Sequence, residues 1–235
     1  MLAAEGAEGA EHAAAAANWF VQHAWLIPML PFVSGALTLF FGKRTPGKGP
    51  VYGIAAVFAT FVLSLGVLWQ YVDGGGGEFV DVVDWFTIGS LHLEVGTLVD
   101  GLTAVTLVVV TSVSLMVQIY SLGYMHGDDR YTWFYTVLSL FTGAMLIVVV
   151  SSGVIQLLVG WEIMGVCSYL LIGHWWEDRV NSSAAIKAFI TTRIGDVPMM
   201  FGFFALIAAT GFTTTNIPEV TEAIAHGEIS RSCKV

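Results

Sequence analysis

The chain has 235 residues, of which 56% are hydrophobic and only 11% charged, with a formal net charge of −9. A soluble domain carries about 25% charged residues, so this composition excludes an ordinary soluble globular protein. The acidic residues fall in loops and near the N-terminus, a distribution that sets topology and gives no footing to a nucleic-acid partner.

Residues 1–21 are Ala-rich and hold no Lys or Arg. They lack the positive region that opens a secretory signal, and they predict a short helical extension. Six apolar segments follow, spanning 22–41, 51–72, 99–122, 133–150, 154–175 and 184–209. Most approach the roughly 20 residues that a helix needs to cross a bilayer. Between the second and third, Gly74–Gly77 lead into alternating β-prone residues, FVDVVDW and FTIGSLHLEV. That pattern predicts a hairpin turning at Gly89 and Ser90, with Asp100 as the N-cap of the next helix. A Ser-Ser-Gly turn, 151–153, joins the fourth and fifth segments, and the sequence turns polar after 209.

The predicted fold class is therefore an all-α polytopic membrane protein, with about six transmembrane helices and a short extracytoplasmic β-hairpin between the second and third. Its parts are an extension (1–21), three helices with the hairpin (22–132), a second group of three helices (133–210) and a tail (211–235). Lys43, Arg44 and Lys48 lie between segments one and two, Arg130 between three and four, and Arg179 between five and six. The other connections carry no Lys or Arg, so the positive-inside rule places the N-terminus outside.

Several motifs point nowhere. Gly42–Lys48 (GKRTPGK) fits part of a phosphate-binding loop, yet the next residue is Gly49, not a hydroxyl residue, and both flanks are membrane segments. No glycine fingerprint follows a strand, so neither a nicotinamide nor a flavin cofactor is expected. Cys167 and Cys233 provide no disulfide framework or metal spacing, and Cys167 reads as a packing residue. His12, His92, His126 and His226 fall in loops or the tail, and His23 and His174 at helix ends, which disfavours haem ligation. His174, beside Trp175 and Trp176 and a turn from Tyr169, fits an interfacial belt or a proton relay near the cytoplasm.

The informative residue is Glu162, inside the otherwise apolar fifth segment. A charge near the bilayer centre costs at least about 2.5–3.5 kcal/mol, so it is expected to face protein or water and to have a partner. Gly165, Val166, Tyr169 and Gly173 share its helical face, and the glycines predict a close neighbouring helix. The sixth segment supplies Lys187, Arg193 and Asp196. Arg193 and Asp196, three apart, predict an ion pair, with Lys187 on another side and able to snorkel. Pro198, near Gly195, predicts a kink or local opening. Ionisable groups on two adjacent spans point to an ion or proton path.

Four blocks now occur in one order: VDGLT (99–103), YSLGYM (120–125), GWEIMGVCSYLLIGHW (160–175) and AAIKAFITTRIGD (184–196). Together they resemble the antiporter-like chain 5, or subunit L, family of proton-pumping NADH-quinone oxidoreductase, respiratory complex I. The resemblance implies a subunit of that enzyme in the distal membrane arm, moving protons driven by quinone chemistry elsewhere, with no cofactor or metal in this chain. It implies Glu162, Lys187 and Asp196 as proton-path residues; Arg193, Tyr169 and His174 are secondary candidates from the reading of the residues themselves. It implies other membrane-arm subunits as partners, above all the neighbouring antiporter-like one, and the inner membrane of a bacterium as the location. The large subunit of multisubunit Na⁺/H⁺ antiporters shares these blocks and is the alternative. Family members continue through further helices, where a lysine would normally partner the glutamate. Arg231 and Lys234 also break the charge alternation. The expectation is a truncated copy or fragment, with a non-transporting piece as a third reading.

Overall fold

The computed structural model describes residues 19–44, 49–74, 77–88, 91–209 and 215–225. The expected N-terminal helical extension, the hairpin's turn residues, Cys233 and the last basic residues lie outside them. Among the described residues, six helices are long and apolar enough to span a membrane. They are α1 (Leu26–Phe41), α2 (Pro50–Asp73), α3 (Gly101–Tyr124), α4 (Tyr131–Val150), α5 (Val154–Ile172) and α6 (Arg179–Ala209). The two strands are β1 (Phe79–Ile88) and β2 (Leu91–Val99), and a short amphipathic helix, α7 (Ile217–Ala225), follows.

Local chemistry sets most of these boundaries. The first segment is broken: a turn of helix at Trp19–Gln22 precedes α1 proper. Pro50 opens α2, where its missing N–H costs nothing. Asp100 caps α3 as expected, its Oδ1 accepting from the Thr103 N–H at 2.7 Å. The sixth helix begins at Arg179, five residues before its apolar run, because Asp178 Oδ1 accepts from the Val180 N–H at 3.0 Å and so caps it. It then continues through Pro198 to Ala209.

The bundle is organised around α4, which packs on α1, α2, α3 and α5. In its apolar window 56% of the residues are buried, against 11% for α5 and for α6. α6 is held chiefly by α5. One apolar cluster, built on Ile27, Val67, Leu107, Leu146 and Val150, fills the hairpin end of the bundle, and a smaller one around Met125, Tyr131 and Tyr135 fills the other.

The hairpin does not float. β1 and β2 pair antiparallel from Phe79↔Val99 to Ile88↔Leu91, with an irregularity between Asp84 and Phe86. Thr97 of β2 bridges to Ser151, and the Gly96 N–H donates to Gln156 Oε1 at 2.9 Å. A side chain at Gly96 would run into the Asp81 carbonyl and lie 2.8 Å from Ser152 Oγ, so only glycine allows this approach. Gly153 bridges in turn to Asn216. The connections without Lys or Arg thus meet at one end of the bundle. At the other, Arg130 of the α3–α4 connection is salt-bridged to Glu177 of the α5–α6 connection. This is the grouping that charge alternation called for.

Candidate functional site

Two helices bring the site together. Glu162 lies in the middle of α5 and Arg193 in the middle of α6, and their side chains form an ion pair. The same Arg193 Nη1 lies 3.3 Å from Asp196 Oδ2, so one guanidinium serves two carboxylates. Its Nη2 also donates to the Glu162 backbone carbonyl at 3.4 Å. Gly165 leaves the space that the Arg193 guanidinium occupies: a Cβ there would meet Arg193 Nη2, which would have to shift. The Phe189 ring lies 4.6 Å below the guanidinium carbon, and the Tyr169 ring packs 5.4 Å from Phe189.

Asp196 is the most sheltered of the three, its side chain 7% exposed, against 21% for Arg193 and 42% for Glu162. Its second oxygen is held by the Trp161 indole N–H, which donates to Oδ1 at 2.7 Å. Trp161, like Asp128 and Glu177 below, is a contact that the sequence reading passes over. The signal was present: a Trp next to the intramembrane Glu is an apolar side chain with one donor, suited to a buried carboxylate. The formal charge of the cluster is −1, two carboxylates against one guanidinium.

The expected residues do not all gather. Arg193 and Asp196 pair as their spacing predicts, and Glu162 finds its partner within this chain. Its expected burial against packed protein is not what the helix pair alone provides, since Glu162 remains partly exposed beside α6. Lys187 stands apart, exposed and without an ion pair among the described residues.

His174 belongs to a second cluster, at the end where Arg130 and Glu177 meet. It is 4% exposed and turned inward, whereas Trp175 and Trp176 face outward as belt residues do. Its Nε2 lies 3.4 Å from Asp128 Oδ1. Asp128 also accepts from the Arg130 N–H at 2.7 Å and from the Trp175 indole at 2.9 Å. Burial works against ionisation of Asp128, but these hydrogen bonds and the His174 ring outweigh it and hold the carboxyl below its ordinary range. The hydrogen bond and charge of Arg130 depress Glu177 in the same direction. Arg130 also donates to the His174 carbonyl at 2.8 Å, so the two connections are tied at several points. His126 is exposed, as a loop residue should be.

Two family models match: complex I chain 5 N-terminus over residues 85–135, and the transmembrane region of NADH:quinone oxidoreductase/Mrp antiporters over 151–233. The chain belongs to the complex I chain 5 family. It is 41% identical over 197 residues to NAD(P)H-quinone oxidoreductase chain 5 of Synechocystis, covering 81% of this chain and 29% of that protein. It is 40% identical over 189 residues to NADH-quinone oxidoreductase subunit L of Neisseria meningitidis, covering 79% of this chain and 28% of the relative. The chain thus spans under a third of the length of these family members. In fold it is similar to a chain of the membrane-bound sulfane sulfur reductase, an archaeal respiratory membrane complex, with a TM-score of 0.75 over 88% of this chain and 41% of the other, at 15% identity.

Proposed function

We propose that this chain is part of a proton-translocating subunit in the membrane arm of an NADH-quinone oxidoreductase. The observation that carries the reading is the cluster of Glu162, Arg193 and Asp196 in two spans of a chain 5 family member. Such a cluster takes a proton when Arg193 leans toward one carboxylate and releases it when the guanidinium returns. Glu162, the more exposed acid, is the group that exchanges the proton; Asp196, pinned by Trp161, anchors the arginine. Lys187 serves as a further stop on the path, one that motion or a neighbouring element must bring to the cluster. Electron transfer from NADH to quinone takes place in other subunits, and no cofactor of this chain enters the scheme.

In this reading the N-terminus is outside, the connections bearing Arg130 and Arg179 face the cytoplasm of a bacterium, and the inner membrane is the site of action. The partners are other membrane-arm subunits, in particular an adjacent antiporter-like one.

The test is Glu162→Gln in the assembled complex, reconstituted into vesicles carrying a pH-sensitive dye. Proton uptake on adding NADH and quinone should be abolished with assembly intact. Normal proton uptake by the variant would refute the assignment. The matching transmembrane model also takes in Mrp antiporters, so the same vesicles are tested with a Na⁺ gradient and no quinone. Glu162-dependent Na⁺/H⁺ exchange there would favour the antiporter reading.

A further inference from the structure

Where α5 and α6 meet, residue numbers rise along one helix as they fall along the other. Glu162 meets Arg193, Tyr169 meets Phe189, and Gly173 meets Ala185, whose Cβ lies 3.2 Å from the place that a Cβ at 173 would take. The middle rung is a pair of rings, and it touches the charge. Phe189 lies one turn before Arg193 on α6, and the guanidinium carbon stands over its ring, 4.6 Å from the centroid. Tyr169 packs on that ring in turn, with the centroids 5.4 Å apart and the planes inclined by 56°.

A guanidinium inside a span needs more than acceptors along its edges. The Arg193 side chain is mostly covered, and its Nε is buried with no hydrogen-bond partner among the described residues. An aromatic face supplies negative potential where no acceptor stands, and the attraction grows as water is removed. Its geometry also differs from that of a hydrogen bond. A carboxylate holds an N–H along a narrow range of directions, whereas the quadrupole of a ring attracts a cation anywhere over its face. Arg193 can therefore turn from Asp196 toward Glu162 without leaving the ring. Phe189 and Arg193 share α6, so the seat stays with the arginine when α5 shifts.

We propose that Phe189 is a positioning residue for the cluster of Glu162, Arg193 and Asp196. It is an aromatic seat that keeps the Arg193 charge between the two carboxylates while leaving it free to lean toward either. Tyr169 holds the seat in place, so it acts through the Phe189 ring. The inference rests on reading Glu162 as a proton carrier.

The experiment uses the assembled complex in vesicles, with residue 189 replaced in turn by mono-, tri- and pentafluorophenylalanine through codon suppression. Fluorine withdraws electron density from the ring face in steps and leaves the shape of the side chain nearly unchanged. Proton uptake on adding NADH and quinone should fall step by step, by about threefold or more at full fluorination, the factor that a partly desolvated cation–π contact commands. Phe189→Leu, which fills similar space without a π-face, should fall at least as far. Parental pumping throughout the fluorinated series would overturn the proposal. So would an equal loss at every step, which marks a packing defect and not a lost charge seat. Should the leucine variant fail to assemble, the fluorinated series decides alone. Glu162→Gln, measured in parallel, reports separately on the underlying reading: normal pumping there refutes the proton-carrier assignment, whereas a flat fluorinated series refutes only the seat.

Discussion

Arg193 decides the character of the site, because a guanidinium offers two edges and cannot be deprotonated within the working pH range. Glu162 and Asp196 compete for it, and Trp161 biases the contest by fixing Asp196. Trp161→Phe keeps the ring and removes only the donor. A hydrogen bond to a charged group contributes about 1.5–3 kcal/mol, so the variant should unfold at lower temperature in detergent. An unchanged melting temperature would mean that the indole bond is idle. The sequence revealed this site unevenly. Arg193 and Asp196 lie three apart on one helix, and helical geometry alone joins them. Glu162 and Arg193 lie 31 residues apart, and their pairing depends on how α5 and α6 rotate against each other, which no local pattern encodes. The link between His174 and Asp128, across 46 residues, was out of reach for the same reason.

At the scale of elements, two ties hold the connections in place, and each makes its own prediction. The hairpin sits on the α4–α5 turn through Gly96. With Gly96→Ala, the new methyl meets backbone atoms of β1, which cannot yield as a flexible side chain would. Overpacking of this kind costs about 1–3 kcal/mol. Amide exchange should accelerate across residues 79–99, while α3 keeps its parental protection; parental exchange in both would contradict the account. The opposite end depends on Asp128 and Glu177, both with lowered carboxyl pKa values. Groups of this kind stabilise the folded state above their unfolded pKa, and that contribution is lost as pH falls through the folded value. The tie should therefore hold from neutral pH down to about 5 and loosen progressively below about 4, near the ordinary carboxylate range. Limited proteolysis of the α3–α4 connection across that range measures it, and flat susceptibility throughout would rule it out. The hairpin and its capping aspartate were legible because alternation and N-caps are local. The early start of α6 was not, since Asp178 sits in a polar stretch that a search for apolar runs passes over.

For the molecule as a whole, the ends of the bundle segregate by charge, so orientation can be tested by labelling. Lys43 and Asp84 are both exposed, at connections that charge alternation assigns to opposite sides. In a background without the native cysteines, Asp84→Cys should react with an impermeant maleimide added to intact cells, and Lys43→Cys only after permeabilisation. The reverse pattern would invert the topology. The count and order of the helices could be read from hydropathy, because bilayer thickness sets span length directly. The central place of α4 could not, since α2 and α3 are as apolar as α4 and only packing separates them.

The arginine shared by α5 and α6 also bears on biogenesis. Charged residues at a helix centre each cost about 2.5–3.5 kcal/mol on insertion scales, so Glu162 alone, or Arg193 alone, makes its helix a reluctant guest in lipid. Synthesis releases α5 first. Its glutamate gains a counter-charge only when α6 emerges, which favours lateral release of the two from the insertion machinery as one helical hairpin, with the ion pair already made.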